Sequence, residues 1–158
     1  MEILPHNKLA ILIDKLTELD ELAKSLGIEN IYGTAGISDL IASHTLKHDY
    51  VIDQHGPDGI KDGKHFEYKV ANPSDPTRPS WNFKLETPLK EKDKHISKYY
   101  FISKDGTKML GIWECEPEIV QQLMDERRQY TIDNNLLQKK YTISIKYIEE
   151  QLNARKIL

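Results

Sequence analysis

Apolar residues recur along the chain at two different periods. Between Asn7 and Leu26, the positions Leu9, Leu12, Leu16, Leu19, Ala23 and Leu26 alternate steps of three and four, which is the seam of a heptad helix. Asn7 suits the N-cap and Gly27 the residue just past the last turn. Ile11, Ile13 and Leu22 widen the apolar surface beyond one narrow contact. Such a helix either packs on its own domain or pairs with a second copy, and a homodimer through this helix is the expectation. A shorter helix is expected from Ser38 to Lys47, with Ser38 as N-cap and Leu40 and Ile41 inward.

From Tyr50-Val51-Ile52 onward the period changes to two. His65 to Ala71 puts Phe66, Tyr68 and Val70 on one face, with Glu67 and Lys69 on the other. Asp62-Gly63 before it signals a tight hairpin. A loop with Pro73, Pro76 and Pro79 leads to a strand from Trp81 to Leu85. Ile96–Ser103 and Thr107–Glu114 flank Lys104-Asp105-Gly106, a second hairpin signature. Pro117 suits the first turn of a helix that buries Ile119, Val120, Leu123 and Met124. Lys140 to Lys146 reads as a strand, followed by a short helix. Helices around a mixed sheet predict a single α/β or α+β domain over residues 1–158.

Composition narrows the function classes. The 158 residues are 39% hydrophobic and 30% charged, an ordinary globular balance without the apolar run a spanning helix needs. Lys and Arg number 22 against 25 Asp and Glu, for a net charge of −3, which argues against a histone-like coat that binds DNA by bulk positive charge and leaves room for local basic patches. The single cysteine, Cys115, excludes an internal disulfide framework and a cysteine-based zinc module. No signal peptide is evident, so a cytoplasmic location is expected. His44 and His48 have a metal-ligand spacing, but Thr45 stands where His-Glu-x-x-His has its glutamate. Cys115 has no evident catalytic partner, and no Walker-type phosphate loop exists.

The most informative chemistry lies in Gly56-Pro57-Asp58 and Glu67-Tyr68-Lys69. Glu67 and Lys69, two apart on a strand, project from one face, and the Asp62-Gly63 turn folds Asp58 back toward Glu67. Paired carboxylates beside an ammonium form a hard-cation site suited to Mg²⁺, with the Tyr68 carbonyl as a third oxygen. Such a set serves phosphodiester hydrolysis: the metal activates a water, and Lys69 orients it and offsets developing charge. An exposed Glu67–Lys69 ion pair with no such role is the alternative. Asp62-Gly63-Lys64 mimics the same pattern, but its glycine marks a turn.

These residues resemble the PD-(D/E)xK nuclease family, and the wider chain is similar to its PvuII-like type II restriction endonucleases. The likeness runs from Asn7-Lys8-Leu9 through Gly27-Ile28-Glu29-Asn30-Ile31-Tyr32 to the motif. It then touches Glu116-Pro117, Asn134-Asn135 and Ile145-Lys146-Tyr147. It implies a restriction-endonuclease-like core and a homodimer that cuts both strands of a short palindrome in double-stranded DNA. A separate DNA methyltransferase would protect the host. It also implies a helical dimerisation region over residues 1–48, a catalytic hairpin and sheet over 49–116, and a helix plus DNA-recognition region over 117–158. Asp58 and Glu67 become metal ligands and Lys69 the catalytic lysine. Asn134 and Asn135 match a base-reading pair, a task asparagine performs on adenine, although Asp133-Asn134-Asn135 also suits a turn.

The family's recognition strand is rich in histidine, whereas this chain carries Ser80-Trp81-Asn82-Phe83-Lys84. Asn82 and Lys84 share a face there and are expected to reach bases or phosphates. Arg78 and the run of Lys90, Lys92, Lys94, His95 and Lys98 are candidate phosphate contacts, or a solvated face. His55 is close enough to Asp58 in sequence to touch a phosphate, and Asp93 falls near a position where the family has tyrosine. A structure-selective nuclease and a non-catalytic DNA-binding protein are the alternative functions.

Overall fold

A computed structural model describes residues 6–33, 36–52, 56–85, 95–136 and 140–158. His55 and Lys90 to Lys94, Asp93 among them, lie outside the described residues. The chain divides into two compact units, residues 1–37 and 38–158.

The first unit is built on helix α1 (His6–Ser25). It begins before Asn7, so this residue sits inside the helix instead of capping it. Gly27, at φ 82°, turns the chain out as expected, and the Ile28 amide donates back to the Ala23 carbonyl at 2.9 Å. Tyr32 then donates its hydroxyl to the Leu16 carbonyl. Ala23, Ile28 and Ile31 are buried, while Leu9, Leu12, Leu16, Leu19 and Leu26 are all exposed, together with Ile11, Ile13 and Leu22. Apart from Ala23, the heptad positions therefore form an exposed apolar stripe.

The second unit is mixed α+β, with a mostly antiparallel sheet. Helix α2 (Gly36–Leu46) belongs to it except for its first two residues. It starts ahead of Ser38, and its buried residues are Ala42 and Ser43, while Leu40 and Ile41 are only half-buried. Strands β1 (Asp49–Tyr50), β2 (Gly59–Lys61) and β3 (Lys64–Ala71) follow. Val51 and Ile52 lie beyond β1, outside any strand. Asp62 and Gly63 both take positive φ, 51° and 73°, the geometry of a two-residue hairpin turn.

Strand β4 (Ser80–Lys84) precedes β5 (Ile96–Asp105) and β6 (Lys108–Cys115), whose hairpin turns at Gly106 with φ 55°. Helix α3 (Pro117–Asp133) opens on its proline, as expected. Strand β7 (Lys140–Ser144) stops two residues short of Lys146. Ser144 accepts a hydrogen bond from the Tyr147 amide and caps α4 (Ile145–Glu150), so side-chain capping overrides the apolar alternation. A short β8 (Arg155–Lys156) closes the sheet edge.

The main sheet has the order β1-β2-β3-β5-β6-β8, in which only β3 and β5 run parallel. Both faces of it are covered. On one, Phe66, Tyr68, Tyr100, Ile102 and Ile112 pack with Ala42 of α2. On the other, Phe101 and Trp113 pack with Trp81, Phe83, Val120, Leu123, Ile143 and Ile148. Strands β4 and β7 form a separate antiparallel ribbon over that second face. No described helix is long and apolar enough to cross a membrane.

Candidate active site

The register of the β2–β3 hairpin is what brings the motif together. Gly59 pairs with Phe66, so one step further in the same register Asp58 comes level with Glu67. The ladder stops at that pair, and the Asp58 side chain takes over. The Tyr68 amide donates to Asp58 Oδ2 at 2.6 Å, while the Asp58 amide donates to the Phe66 carbonyl at 3.0 Å. The Asp58 carboxylate thus lies at the edge of β3, on the amide between Glu67 and Lys69. The N–H and C=O of one strand residue face the same neighbour, so the Tyr68 carbonyl opens on this edge too.

Glu67 and Lys69 occupy the other face from Tyr68, as the alternation predicts. The Lys69 ammonium donates to Glu67 Oε1 at 2.6 Å, with the carboxylate side chain 7% exposed and the lysine 24%. Lys69 Nζ also sits 5.7 Å from the centre of the Phe83 ring. An ion pair this deep is not the solvated cross-strand pair of the alternative reading. The motif itself offers oxygen atoms: the Asp58 and Glu67 carboxylates and the Tyr68 carbonyl. That set suits a hard cation such as Mg²⁺. Among the described residues, no three His, Cys, Asp or Glu side chains cluster in a metal-holding arrangement, so the candidate site relies on the carbonyl.

The opposite face anchors the same strand. The Tyr68 hydroxyl lies 2.8 Å from His48 Nδ1 and accepts a hydrogen bond from Ser43 Oγ at 3.3 Å. Burial pushes the Tyr68 phenol well above its ordinary pKa, so it stays protonated. His48 stacks on Phe66 with ring centroids 4.0 Å apart, and burial lowers its pKa. Helix α2 ends at Leu46, and Lys47 takes φ 57°. His44 and His48 therefore do not share a helix face, and their metal-ligand spacing is accidental. Gly59 is required here: a Cβ on it would lie 2.0 Å from the Tyr68 hydroxyl.

The other sequence candidates separate. Asn82 and Lys84 are exposed while Trp81 and Phe83 are buried, as the alternation predicts. Asn82 faces Thr142 across the ribbon, and the Thr142 hydroxyl donates to Asn82 Oδ1 at 2.5 Å. Asn134 and Asn135 form the C-terminal cap of α3, the turn-like alternative for this pair. The Asn134 side-chain Nδ2 donates to the Tyr130 carbonyl at 2.9 Å, and Asn135 takes φ 48°. Both remain exposed. Arg78 lies in an exposed turn 3.8 Å from Asp75. Lys98 is held by Glu116 and Glu114, so it belongs to an internal ion-pair cluster. Lys94 lies outside the described residues.

Sequence reasoning missed the partners that strand pairing supplies. Thr142 and Lys140 sit two apart in β7, which could have marked them as one outward row opposite Asn82 and Lys84. Ser43 carried no sequence signal and His48 only its misleading spacing to His44, because their role exists only through Tyr68. Compared with known families and curated proteins, the chain matches no family model and no curated protein.

Proposed function

We propose that the chain is a Mg²⁺-dependent type II restriction endonuclease with a restriction-endonuclease-like core. It works in the cytoplasm as a homodimer that hydrolyses both strands of a short palindromic DNA site. One observation carries this reading: the Asp58 carboxylate caps the Tyr68 amide, between a glutamate and a lysine that already pair at 2.6 Å. Asp58, Glu67 and the Tyr68 carbonyl would hold the metal. Bound Mg²⁺ would supply a hydroxide nucleophile and polarise the scissile phosphate.

The residues of the chain do the positioning. Glu67 fixes the Lys69 ammonium beside the site, where it orients the attacking water and offsets negative charge as the phosphorane forms. Tyr68, tied down by Ser43 and His48, fixes the strand from behind. Dimerisation through α1 agrees with an apolar stripe too broad for water, and an isolated helix of this length is marginal by itself.

The test is digestion of unmethylated phage DNA in Mg²⁺ or EDTA, by wild type, Lys69→Ala and Asp58→Asn. Discrete Mg²⁺-dependent fragments, lost in both variants while circular dichroism stays native, are the expected result. A smear, or preference for branched DNA, would replace the reading with a less specific nuclease. Failure to cut any duplex or branched DNA would leave the ion pair structural and sink the proposal.

A further inference from the structure

We infer that Arg127, Tyr141 and Tyr147, carried by α3, β7 and α4, form a binding site for a single phosphate group. It includes none of Asp58, Glu67 or Lys69 and does not rest on the nuclease reading. The guanidinium carbon of Arg127 lies 4.7 Å from the centre of the Tyr141 ring. The Tyr147 ring stands edge-on to Tyr141, with centroids 6.5 Å apart. Arg127 hydrogen-bonds Tyr147 first and Tyr141 second, so the guanidinium and both hydroxyls converge on one spot. All three side chains are half-buried.

The cluster lacks a counter-charge. Arg78, Arg128 and Arg155 each pair with a carboxylate, whereas Arg127 makes no ion pair among the described residues. Its own helix offers it none, because the positions three and four away hold Leu123, Met124, Tyr130 and Thr131. The acids just before it are engaged: Asp125 with Arg128, and Glu126 with Gln122. In α4, Glu150 lies 3.9 Å from Lys146. A half-buried cation with no opposite charge has given up water without return, and a bound anion restores the balance. The donors select phosphate. A phenol that accepts from a guanidinium still has its proton to donate, and burial holds the Tyr141 phenol above its ordinary pKa. Two hydroxyls beside a guanidinium match an oxyanion with three or more oxygens. A carboxylate would fill the guanidinium fork alone and leave the phenols unused.

The experiment titrates inorganic phosphate into the full chain by calorimetry, in EDTA at neutral pH and constant ionic strength, with acetate as a second probe. It compares wild type with Arg127→Gln and Tyr147→Phe. Saturable phosphate binding is expected, weakened about ten- to hundredfold by Arg127→Gln and about three- to tenfold by Tyr147→Phe. Tyr147→Phe keeps its ring, so it carries the comparison if Arg127→Gln melts early. Competition with a mixed-sequence DNA duplex assigns the source of the phosphate. Displacement points to the nucleic-acid backbone, and its absence to a small phosphorylated ligand; both support the site. Acetate binding as tightly as phosphate would overturn the ligand class. No saturable phosphate binding by the wild type up to about 20 mM, which is weaker than about 2.3 kcal/mol, would overturn the site itself. Equal binding by the folded variants would do the same. Either result leaves Mg²⁺-dependent cleavage, and with it the nuclease reading, to its own test.

Discussion

Replacing Lys69 with methionine tests whether the candidate site is a buried ion pair. At 2.6 Å and an effective dielectric constant of about 20, the gross attraction is about 6 kcal/mol. Removing both groups from water costs several kcal/mol in return, so the intact pair is close to neutral. Removing one partner is different, because the Glu67 side chain is 7% exposed and a carboxylate is left without its cation. Lys69→Met should therefore lose about 3–5 kcal/mol. Urea unfolding, followed by the buried Trp81 and Trp113, should show the midpoint falling by about 2 M for a slope of about 2 kcal/mol per M. The double variant Glu67→Gln/Lys69→Met should recover all but about 1 kcal/mol, since no lone charge remains. A single-variant midpoint within about 0.3 M of wild type would refute the argument. Glu67 would then be solvated, and the closeness of the pair would carry no energetic meaning.

Gly59→Ala should cost about 1–3 kcal/mol in thermal melting, because its Cβ meets a Tyr68 hydroxyl pinned by His48 and Ser43. Tyr68→Phe in the same background should return part of that loss, and an unchanged melt for Gly59→Ala would contradict the close approach. Burial pushes the Cys115 thiol up to about 11 from 9.0. Native protein should therefore resist a thiol reagent at pH 8 and react in denaturant. The unfolded thiol ionises first, so stability should fall as the pH rises from about 9 to about 11; a Cys115→Ala variant should lack that fall. Light scattering at micromolar concentration should give a dimer that Leu12→Asp converts to a monomer, and a wild-type monomer would remove α1 as the dimer contact.

The β2–β3 hairpin with its candidate site was legible because every clue to it is local. Asp62-Gly63 sets the turn, the turn sets the register, and the alternation from Phe66 to Val70 sets the faces. What the sequence hid was pairing at long range. The β4–β7 ribbon joins residues sixty positions apart, as Asn82 with Thr142, and no local pattern announces such a partner. Boundaries failed where a side chain competed with the backbone pattern: Ser144 ends a strand that its apolar neighbours would continue. Asn134 and Asn135 illustrate a residue type with two good uses. Their tolerance of left-handed backbone and their local hydrogen bonds made them a helix cap, the turn alternative for that pair.

The pleat of the β4–β7 ribbon divides its residues into two inheritances. Trp81, Phe83 and Ile143 are locked into the core, while Asn82, Lys84, Lys140 and Thr142 alternate with them on the open side. Substituting the outward set changes the stability of the protein by little, about 0.5 kcal/mol or less per site. It changes nothing in β2 or β3. A lineage can therefore rewrite this surface one residue at a time without refolding, and without disturbing Asp58, Glu67 or Lys69.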